Sequence, residues 1–185
     1  MSSTNQAQGL SPVSHPSGII RQETVTDAIA SGYATSLFTG TPIKRTTDGT
    51  LVAVATGADS AIGVFQGCQY TSNGKRFISA YWPASTTYDA GTLLASFTSD
   101  PGIIYEGQAN GPVAASAVGE GINLADASAG STFTGISSQR LNATTTGATA
   151  ATFQVLGLAP YPDNAWGDAF TKVRVKISTY QGQVA

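Results

Sequence analysis

The stretch from residue 63 to residue 83 constrains the fold most strongly, because Asn73-Gly74 lies between two runs rich in β-branched and aromatic residues. Both residues tolerate the positive φ angles of a type I′ turn, and this dipeptide is the strongest short-range signal for a β-hairpin. We therefore predict a long hairpin. Counting outward from the turn gives these pairs: Thr71 with Arg76, Tyr70 with Phe77, Cys68 with Ser79, Gln66 with Tyr81, and Phe65 with Trp82.

The predicted hairpin carries two aromatic pairs, Tyr70 with Phe77 and Phe65 with Trp82. Successive side chains of a strand point to opposite faces of the sheet, so we expect the two pairs on opposite faces. One face would line the interior of a barrel or sandwich. The other would pack against a further layer of the protein or against another subunit.

The charged residues are few for a surface that is exposed to water. They make up 11% of the 185-residue chain, against roughly a quarter in an average soluble domain. Since surface charge keeps dissolved proteins apart, we expect partners to cover much of this surface. The net charge of −2, with no cluster of Lys and Arg, argues against binding to nucleic acid or to an anionic membrane.

The single cysteine, Cys68, excludes an internal disulfide and with it a disulfide-stapled secreted scaffold. Its position in a predicted strand indicates a packed, small hydrophobic side chain. The first residues show no basic region followed by an apolar run, and no segment approaches the roughly 20 apolar residues of a membrane span. We expect a chain that folds in the cytoplasm.

Residues 1–22 are polar, contain Pro12 and Pro16, and lack periodicity, a composition typical of segments that do not fold alone. We predict an N-terminal arm over residues 1–32 that is extended and clamped by a neighbouring subunit. An arm lying on its own domain is the alternative. The arm residues expected to make contacts are Leu10, Val13, Ile19, Ile20 and Arg21.

One short helix is plausible in the chain, over residues 23–31 with Thr24 or Thr26 as its N-cap. His15, the only histidine, lies between Ser14 and Pro16 in the arm. We do not expect it to serve catalysis or metal binding.

A β pattern begins at Tyr33, and its short strands with regular turns predict a mainly β domain over residues 33–185, an antiparallel barrel or sandwich. Asp48-Gly49 is a second candidate for a type I′ turn. It would give these pairs: Ile43 with Val54, and Arg45 with Val52.

A third pair of strands, residues 92–97 and 103–108, is predicted to meet across Asp100-Pro101-Gly102. Proline presets φ at the second position of a type II turn, and glycine accepts the positive φ that follows. Residues 107–150 are rich in Gly, Ala, Ser and Thr. They form either long loops over the barrel or small-residue strands that let neighbouring subunits approach.

Near the C-terminus, residues 153–158 read as a strand, and residues 160–168 form a loop holding Tyr161 and Trp166. Residues 172–178 alternate strictly, with three apolar side chains expected inward and three cations outward. The cations are Lys172, Arg174 and Lys176. This pattern indicates an edge strand protected from unwanted pairing or, alternatively, a docking face for an acidic partner.

The sequence predicts no enzyme and no cofactor. Gly74-Lys75 lacks the spacing of a phosphate-binding loop, and the chain contains no G-x-S-x-G nucleophile elbow. Asp163, Asn164 and Asp168 offer oxygen ligands but lack EF-hand spacing. We therefore predict no catalytic residue and no metal site.

Several motifs together resemble the head decoration, or cement, proteins of tailed bacteriophages. They are Gly63-Val-Phe-x-Gly-x-x-Tyr70, Tyr81-Trp-Pro83, Asp100-Pro101 with Tyr105 and Gln108, Gly121-x-Asn123, Val155-Leu-Gly-Leu158, and Asp163-Asn164. The resemblance covers residues 33–178. It implies a β-rich, oligomeric protein on the outside of the head that clamps adjacent major capsid subunits.

The resemblance assigns no binding residue, so we infer contacts from the sequence. For a subunit or capsid interface we expect Phe65, Trp82, Tyr161, Trp166, Lys172, Arg174 and Lys176. We favour a homotrimer bound to the major capsid protein in the virion. The alternative is a tail or receptor-binding virion component in which Tyr161 and Trp166 stack on sugars.

Overall fold

The computed structural model describes residues 4–182, which form 14 strands and two short 3-10 helices, Ala115–Ala117 and Ala143–Thr145. The strands are β1 Ser11–Ser14, β2 Glu23–Thr26, β3 Leu37–Phe38, β4 Pro42–Arg45, β5 Leu51–Ala53, β6 Gly63–Ser72, β7 Lys75–Ser79, β8 Tyr81–Trp82, β9 Leu94–Thr98, β10 Ile104–Gln108, β11 Gly121–Leu124, β12 Leu141–Asn142, β13 Phe153–Leu158 and β14 Lys172–Ile177. The predicted mainly β class is confirmed. This part of the chain contains no helix long and apolar enough to cross a membrane.

Two six-stranded sheets hold most of the strands. The first sheet has the order β1-β10-β14-β13-β11-β12. The second has the order β2-β9-β6-β4-β5, with β7 paired to β6, and β3 and β8 form a separate pair. All of these pairings are antiparallel.

The buried apolar side chains form two cores. The first core contains Tyr105 and Phe153, and the second contains Phe97 and Trp82, all fully buried. On β6 the neighbouring residues Val64 and Phe65 belong to different cores, as expected for side chains that alternate between faces.

The turn of the main hairpin is confirmed. Asn73 and Gly74 have φ angles of 51° and 71°, the positive values that a type I′ turn requires. The three predicted pairs nearest the turn are present, and Tyr70 stacks on Phe77 with ring centroids 5.2 Å apart.

The prediction for the far end of the hairpin is wrong. Strand β7 ends at Ser79, so Phe65 faces Phe97 and Trp82 faces Leu37 instead. The register of β6 against β9 shifts between Phe65 and Gly67, where Gly67 has a φ of 136°. This bulge adds one residue and reverses the alternation.

Because of the bulge, the two predicted aromatic pairs do not lie on opposite faces. Tyr70, Phe65 and Trp82 share the second core, and the ring centroids of Tyr70 and Trp82 are 5.2 Å apart. One core therefore covers these three aromatic side chains, whereas Phe77 remains 43% exposed.

The second hairpin differs from its prediction by one residue, since Ile43 faces Ala53 and Arg45 faces Leu51. Thr46 and Thr50 close a three-residue loop through a backbone hydrogen bond of 2.8 Å, and Gly49 has a φ of 81°. A three-residue loop with glycine in the left-handed region is another common hairpin connection.

The predicted pairing of residues 92–97 with 103–108 is wrong. Strand β9 already has β2 and β6 on its two edges, so β10 joins the first sheet between β1 and β14. The turn itself exists, with Ile103 N–H donating to the Asp100 carbonyl at 3.2 Å. Gly102 does not have a positive φ, so the turn is not type II. The N–H of Gly102 instead donates to Asp100 Oδ1 at 2.7 Å.

Both sheets include residues from the predicted arm. Residues 23–26 are not helical but form β2, paired with β9, because Thr24, Val25 and Thr26 are β-branched. Strand β1 pairs with β10 of its own chain. In this structure β1 and β2 therefore lie on the sheets of their own chain.

Residues 107–150 contain both loops and short strands. They are mostly loop, interrupted by the two short strands β11 and β12. Ile122, Leu124 and Leu141 bury their side chains in the first core, whereas Val118 and Phe133 are exposed.

Strand β14 is not an edge strand, since β10 and β13 flank it on both sides. Its alternation is confirmed: Val173, Val175 and Ile177 are buried. The interpretation of its cations as protection for an exposed edge is therefore wrong.

Candidate interaction surface

The described residues include no group of three or more His, Cys, Asp or Glu side chains placed to hold a metal ion. Asn164 instead fixes its loop to β14. Its Nδ2 donates to the carbonyls of Ala159 and Lys172 at 2.9 and 2.8 Å, and its Oδ1 accepts from Lys172 N–H at 2.9 Å. These bonds account for the nearly complete burial of Asn164 in structural terms.

The side chain of Cys68 packs in the second core. It is 7% exposed, and burial raises its pKa to about 12. A thiol with this pKa remains protonated at neutral pH and is a poor nucleophile.

A serine, a histidine and an aspartate meet beside the Asp100 turn. His15 Nδ1 lies 2.6 Å from Ser17 Oγ, and His15 Nε2 lies 3.2 Å from Asp100 Oδ1. The hydrogen bond from Gly102 N–H is the main cause of a lowered pKa at the Asp100 carboxyl, and His15 and Arg21 add to it. No pattern in the sequence predicts this cluster, because His15 and Asp100 are far apart along the chain.

The cluster joins the segment that follows β1 to the Asp100 turn. Ser17 N–H also donates to His15 Nδ1 at 3.0 Å, and Gly18 N–H donates to the His15 carbonyl at 2.8 Å. An oxyanion hole would need free backbone N–H groups beside the Ser17 hydroxyl. The N–H groups of Ser17 and Gly18 are instead bonded to His15. A Cβ atom on Gly102 would lie 2.5 Å from His15 Nε2, so the ring and the turn fit closely.

On β14, the predicted interface cations are bound within the chain to different degrees. Arg174 Nε donates to Glu106 Oε1 at 2.9 Å, and Tyr161 OH donates to Glu106 Oε2 at 2.7 Å. Lys172 Nζ lies 5.2 Å from the centroid of the Tyr161 ring. Lys176 has no ion-pair partner between residues 4 and 182.

A polar groove lies beside this network, between the N-terminal segment and the first sheet. It is lined by side chains that include Gln6, Gln8, Glu106, Tyr161 and Lys172. Trp166 is half-buried against the first core and does not line the groove. The structure therefore places only one of the two predicted sugar-stacking rings here.

The other predicted contact residues fall into two groups. Leu10, Phe65 and Trp82 are at most 2% exposed, so in this conformation their side chains contact their own cores and not a partner. In the arm, Val13 and Ile20 are half-buried and Arg21 is exposed. Ile19 is 59% exposed.

The two most exposed large apolar side chains between residues 4 and 182, Phe133 and Ile78, are not among the predicted contact residues. Phe133 is 98% exposed, Ile78 is 77% exposed and Phe77 is 43% exposed. Phe77 and Ile78 belong to β7, which pairs only with β6 among the described strands. An ordered apolar surface of this kind is characteristic of an interaction site.

Thr39 holds the Phe133 loop beside the end of β7. Its backbone N–H donates to the Gly135 carbonyl at 3.0 Å, and its hydroxyl donates to the Ala80 carbonyl at 2.6 Å. A Cβ atom on Gly135 would lie 2.7 Å from the Ala80 Cβ, so the two segments touch. We call β7 together with residues 131–136 the exposed apolar edge.

The Phe133 loop is braced internally as well. Gly135 N–H donates to the Ser131 carbonyl at 2.8 Å, and Ser131 N–H donates to the Ile136 carbonyl at 3.0 Å. The phenyl ring is thus presented by a hydrogen-bonded turn. A sequence signal existed, since Phe133 is an isolated aromatic residue in a tract of small residues.

Comparison with protein-family models, with curated proteins and with solved structures finds no match to this chain.

Proposed function

We propose that this chain is a structural virion protein that decorates the outside of a tailed-bacteriophage head and clamps neighbouring major capsid subunits. The observation that carries the proposal is the 98% exposed phenyl ring of Phe133, in a loop that touches Ala80 just after the strand β7, whose other edge no described strand pairs. In this account the chain is made in the host cytoplasm and acts as a homo-oligomer, with a trimer favoured.

Energetics support a partner at the exposed apolar edge. Burying a phenylalanine side chain contributes about 1.5–3 kcal/mol, and Phe133 makes almost none of that contribution within its own chain. Aromatic side chains are also the residues most enriched among those that dominate binding energy at interfaces. A shell protein would supply the apolar cover.

The composition supports the same proposal. Charged residues make up only 11% of the chain, and three ion pairs use cations internally, those of Lys44 with Asp59, Arg140 with Asp126, and Arg174 with Glu106. Few charges then remain to keep free copies apart in solution. A chain held on a large assembly does not depend on that repulsion.

Binding to phage heads assembled without this chain tests the proposal. We expect the purified chain to bind such heads and to raise their resistance to heat. Phe133→Ser should weaken binding roughly tenfold or more, as for an interface aromatic. Val118→Ser removes a half-exposed apolar side chain outside the exposed apolar edge and should leave binding unchanged. A wild-type chain that does not bind the heads would refute the proposal.

A second candidate function is carbohydrate binding by a tail or receptor-binding component. The polar groove favours it, because it combines the 45% exposed ring of Tyr161 with amide and carboxylate groups. A glycan array would test it, with Tyr161→Ala as the matched variant. Binding that Tyr161→Ala abolishes would support this function, and an array without signal would exclude it.

A further inference from the structure

We infer that β7 takes up an extended, acidic segment of a partner protein as an additional strand of the second sheet, with Phe133 as a neighbouring apolar anchor. This inference rests on the proposed function in that it names the contact made by the exposed apolar edge. On a phage head, the partner segment would belong to the shell.

The open backbone of β7 is the first argument. Residues 75–79 pair with β6 in unbroken register from Ser72–Lys75 to Cys68–Ser79. No described residue pairs with the other edge of β7, and this edge contains neither a proline nor a bulge that would prevent pairing. An unpaired, regular edge is the template for adding a strand from another chain.

The side chains of β7 are the second argument. Ile78 and Phe77 are 77% and 43% exposed, so both faces of an added strand would meet an apolar group. Residues 75–78 are all exposed, and only Ser79 is half-buried. The strand is therefore accessible along nearly its whole length.

Charge identifies the kind of partner. Lys75 and Arg76 are exposed, and neither forms an ion pair within residues 4–182. Arg76 Nη2 donates to the neutral Gln69 Oε1 at 2.7 Å, which leaves its charge uncompensated. An added strand with carboxylates beside these cations gains favourable cross-strand pairs.

The same charges disfavour a second copy of this chain at β7. In an antiparallel pairing centred on Phe77, Arg76 of each copy would face Ile78 of the other. The two Arg76 side chains would then be diagonal neighbours on one face, within reach of each other. Both copies would bring Lys75 and Arg76 to the same short ladder, and β7 contains no acidic residue to pair with them, so an acidic heterologous segment fits better.

Titration of the full-length ¹⁵N-labelled chain with two synthetic peptides tests the inference. The peptides are acetylated, amidated hexamers, one alternating Val with Glu and the other alternating Val with Lys. We expect the Glu peptide to shift the amide signals of residues 75–79 and to slow their hydrogen exchange. The Lys peptide should bind about twofold to fivefold more weakly, because an alternating peptide presents its charged side chains on one face and so beside one of the two β7 cations.

The double variant Lys75→Glu, Arg76→Glu provides the matched control. Its amide spectrum should show a folded chain, and its preference should reverse toward the Lys peptide. Equal binding of both peptides, signal changes away from β7, or no binding at millimolar peptide would overturn the inference.

Failure of the inference is distinguishable from failure of the proposed function. A chain that binds undecorated heads but takes up no acidic peptide at β7 refutes the inference alone. A chain that takes up the acidic peptide at β7 but ignores the heads supports the inference and refutes the decoration function.

Discussion

The cations of β14 and those of β7 show how position in a sheet decides what a charge can do. Both strands are short and basic. Strand β14 lies between β10 and β13, and its Arg174 is paired with Glu106. Strand β7 has one paired edge, and its Lys75 and Arg76 have no ion-pair partner in the described part of the chain. The alternating pattern of apolar and basic residues thus belongs to the interior strand β14, whereas the cations without an ion pair lie on the exposed strand β7.

The largest expected difference is in the free energy of unfolding, when an isoleucine is shortened to alanine on each of the two strands. Ile177 on β14 is 5% exposed and Ile78 on β7 is 77% exposed. Ile177→Ala should lower the free energy of unfolding by about 2–5 kcal/mol through lost burial and a cavity. Ile78→Ala should change it by no more than about 0.5 kcal/mol. Urea denaturation measures both, and equal losses would contradict the assignment of interior and edge.

The bulges of the two sheets give the next comparison. Gly67 has a φ of 136°, and a Cβ atom there would lie 3.1 Å from the Ser79 carbonyl oxygen. Gly157 sits at the bulge of β13 without a positive φ and with no atom within 4 Å of such a Cβ.

Gly67→Ala should therefore destabilise the chain by about 1–3 kcal/mol through backbone strain. Gly157→Ala should be neutral or stabilising by up to about 1 kcal/mol, because alanine restricts the unfolded chain. Thermal unfolding of the two variants checks this. A neutral Gly67→Ala would show that β6 does not need its bulge.

A smaller effect is expected from neutralising one cation on each strand. Arg174→Gln leaves the Glu106 carboxylate, whose side chain is 11% exposed, without its ion pair. We expect a loss of about 1 kcal/mol in the free energy of unfolding. Lys75→Gln should change it by less than about 0.5 kcal/mol. A larger loss of unfolding free energy for Lys75→Gln than for Arg174→Gln would mean that the Lys75 charge stabilises its own chain.

The smallest effect is a titration in the β14 network. The hydrogen bond to Glu106 is the largest cause that raises the pKa of Tyr161 above its ordinary 10.0, with burial next. A raised folded-state pKa means that this stabilisation is fully present below pH 10 and is lost as the pH rises through the folded-state value.

Difference absorbance at tyrosinate wavelengths, with Tyr161→Phe as the reference, isolates this group. Glu106→Gln should move the Tyr161 pKa back toward its ordinary value. An unchanged titration in Glu106→Gln would show that the network does not hold the phenol.

The sequence predicted the features that depend on neighbours along the chain. The Asn73-Gly74 turn and the burial of Val173, Val175 and Ile177 follow from local turn chemistry and alternation. The class of fold followed from the same signals repeated along the chain.

Features that depend on distant residues were not predictable. The bulge at Gly67 placed Phe65 and Tyr70 in one core, although counting along the strand separates them. Strand β9 pairs with β2 on one edge and with β6 on the other, so β10 pairs in the other sheet. Likewise, no pattern along the chain reveals that Thr39 holds the Phe133 loop beside β7.

Amide hydrogen exchange of residues 75–79 and 131–136, compared between the free chain and the chain bound to phage heads, shows whether the exposed apolar edge is the contact with the shell. We expect fast exchange in the free chain for the β7 amides that do not donate to β6, and strong protection of these amides on the heads, because a partner covers the exposed apolar edge. Unchanged exchange in these segments on decorated heads, or no binding to the heads at all, would contradict it.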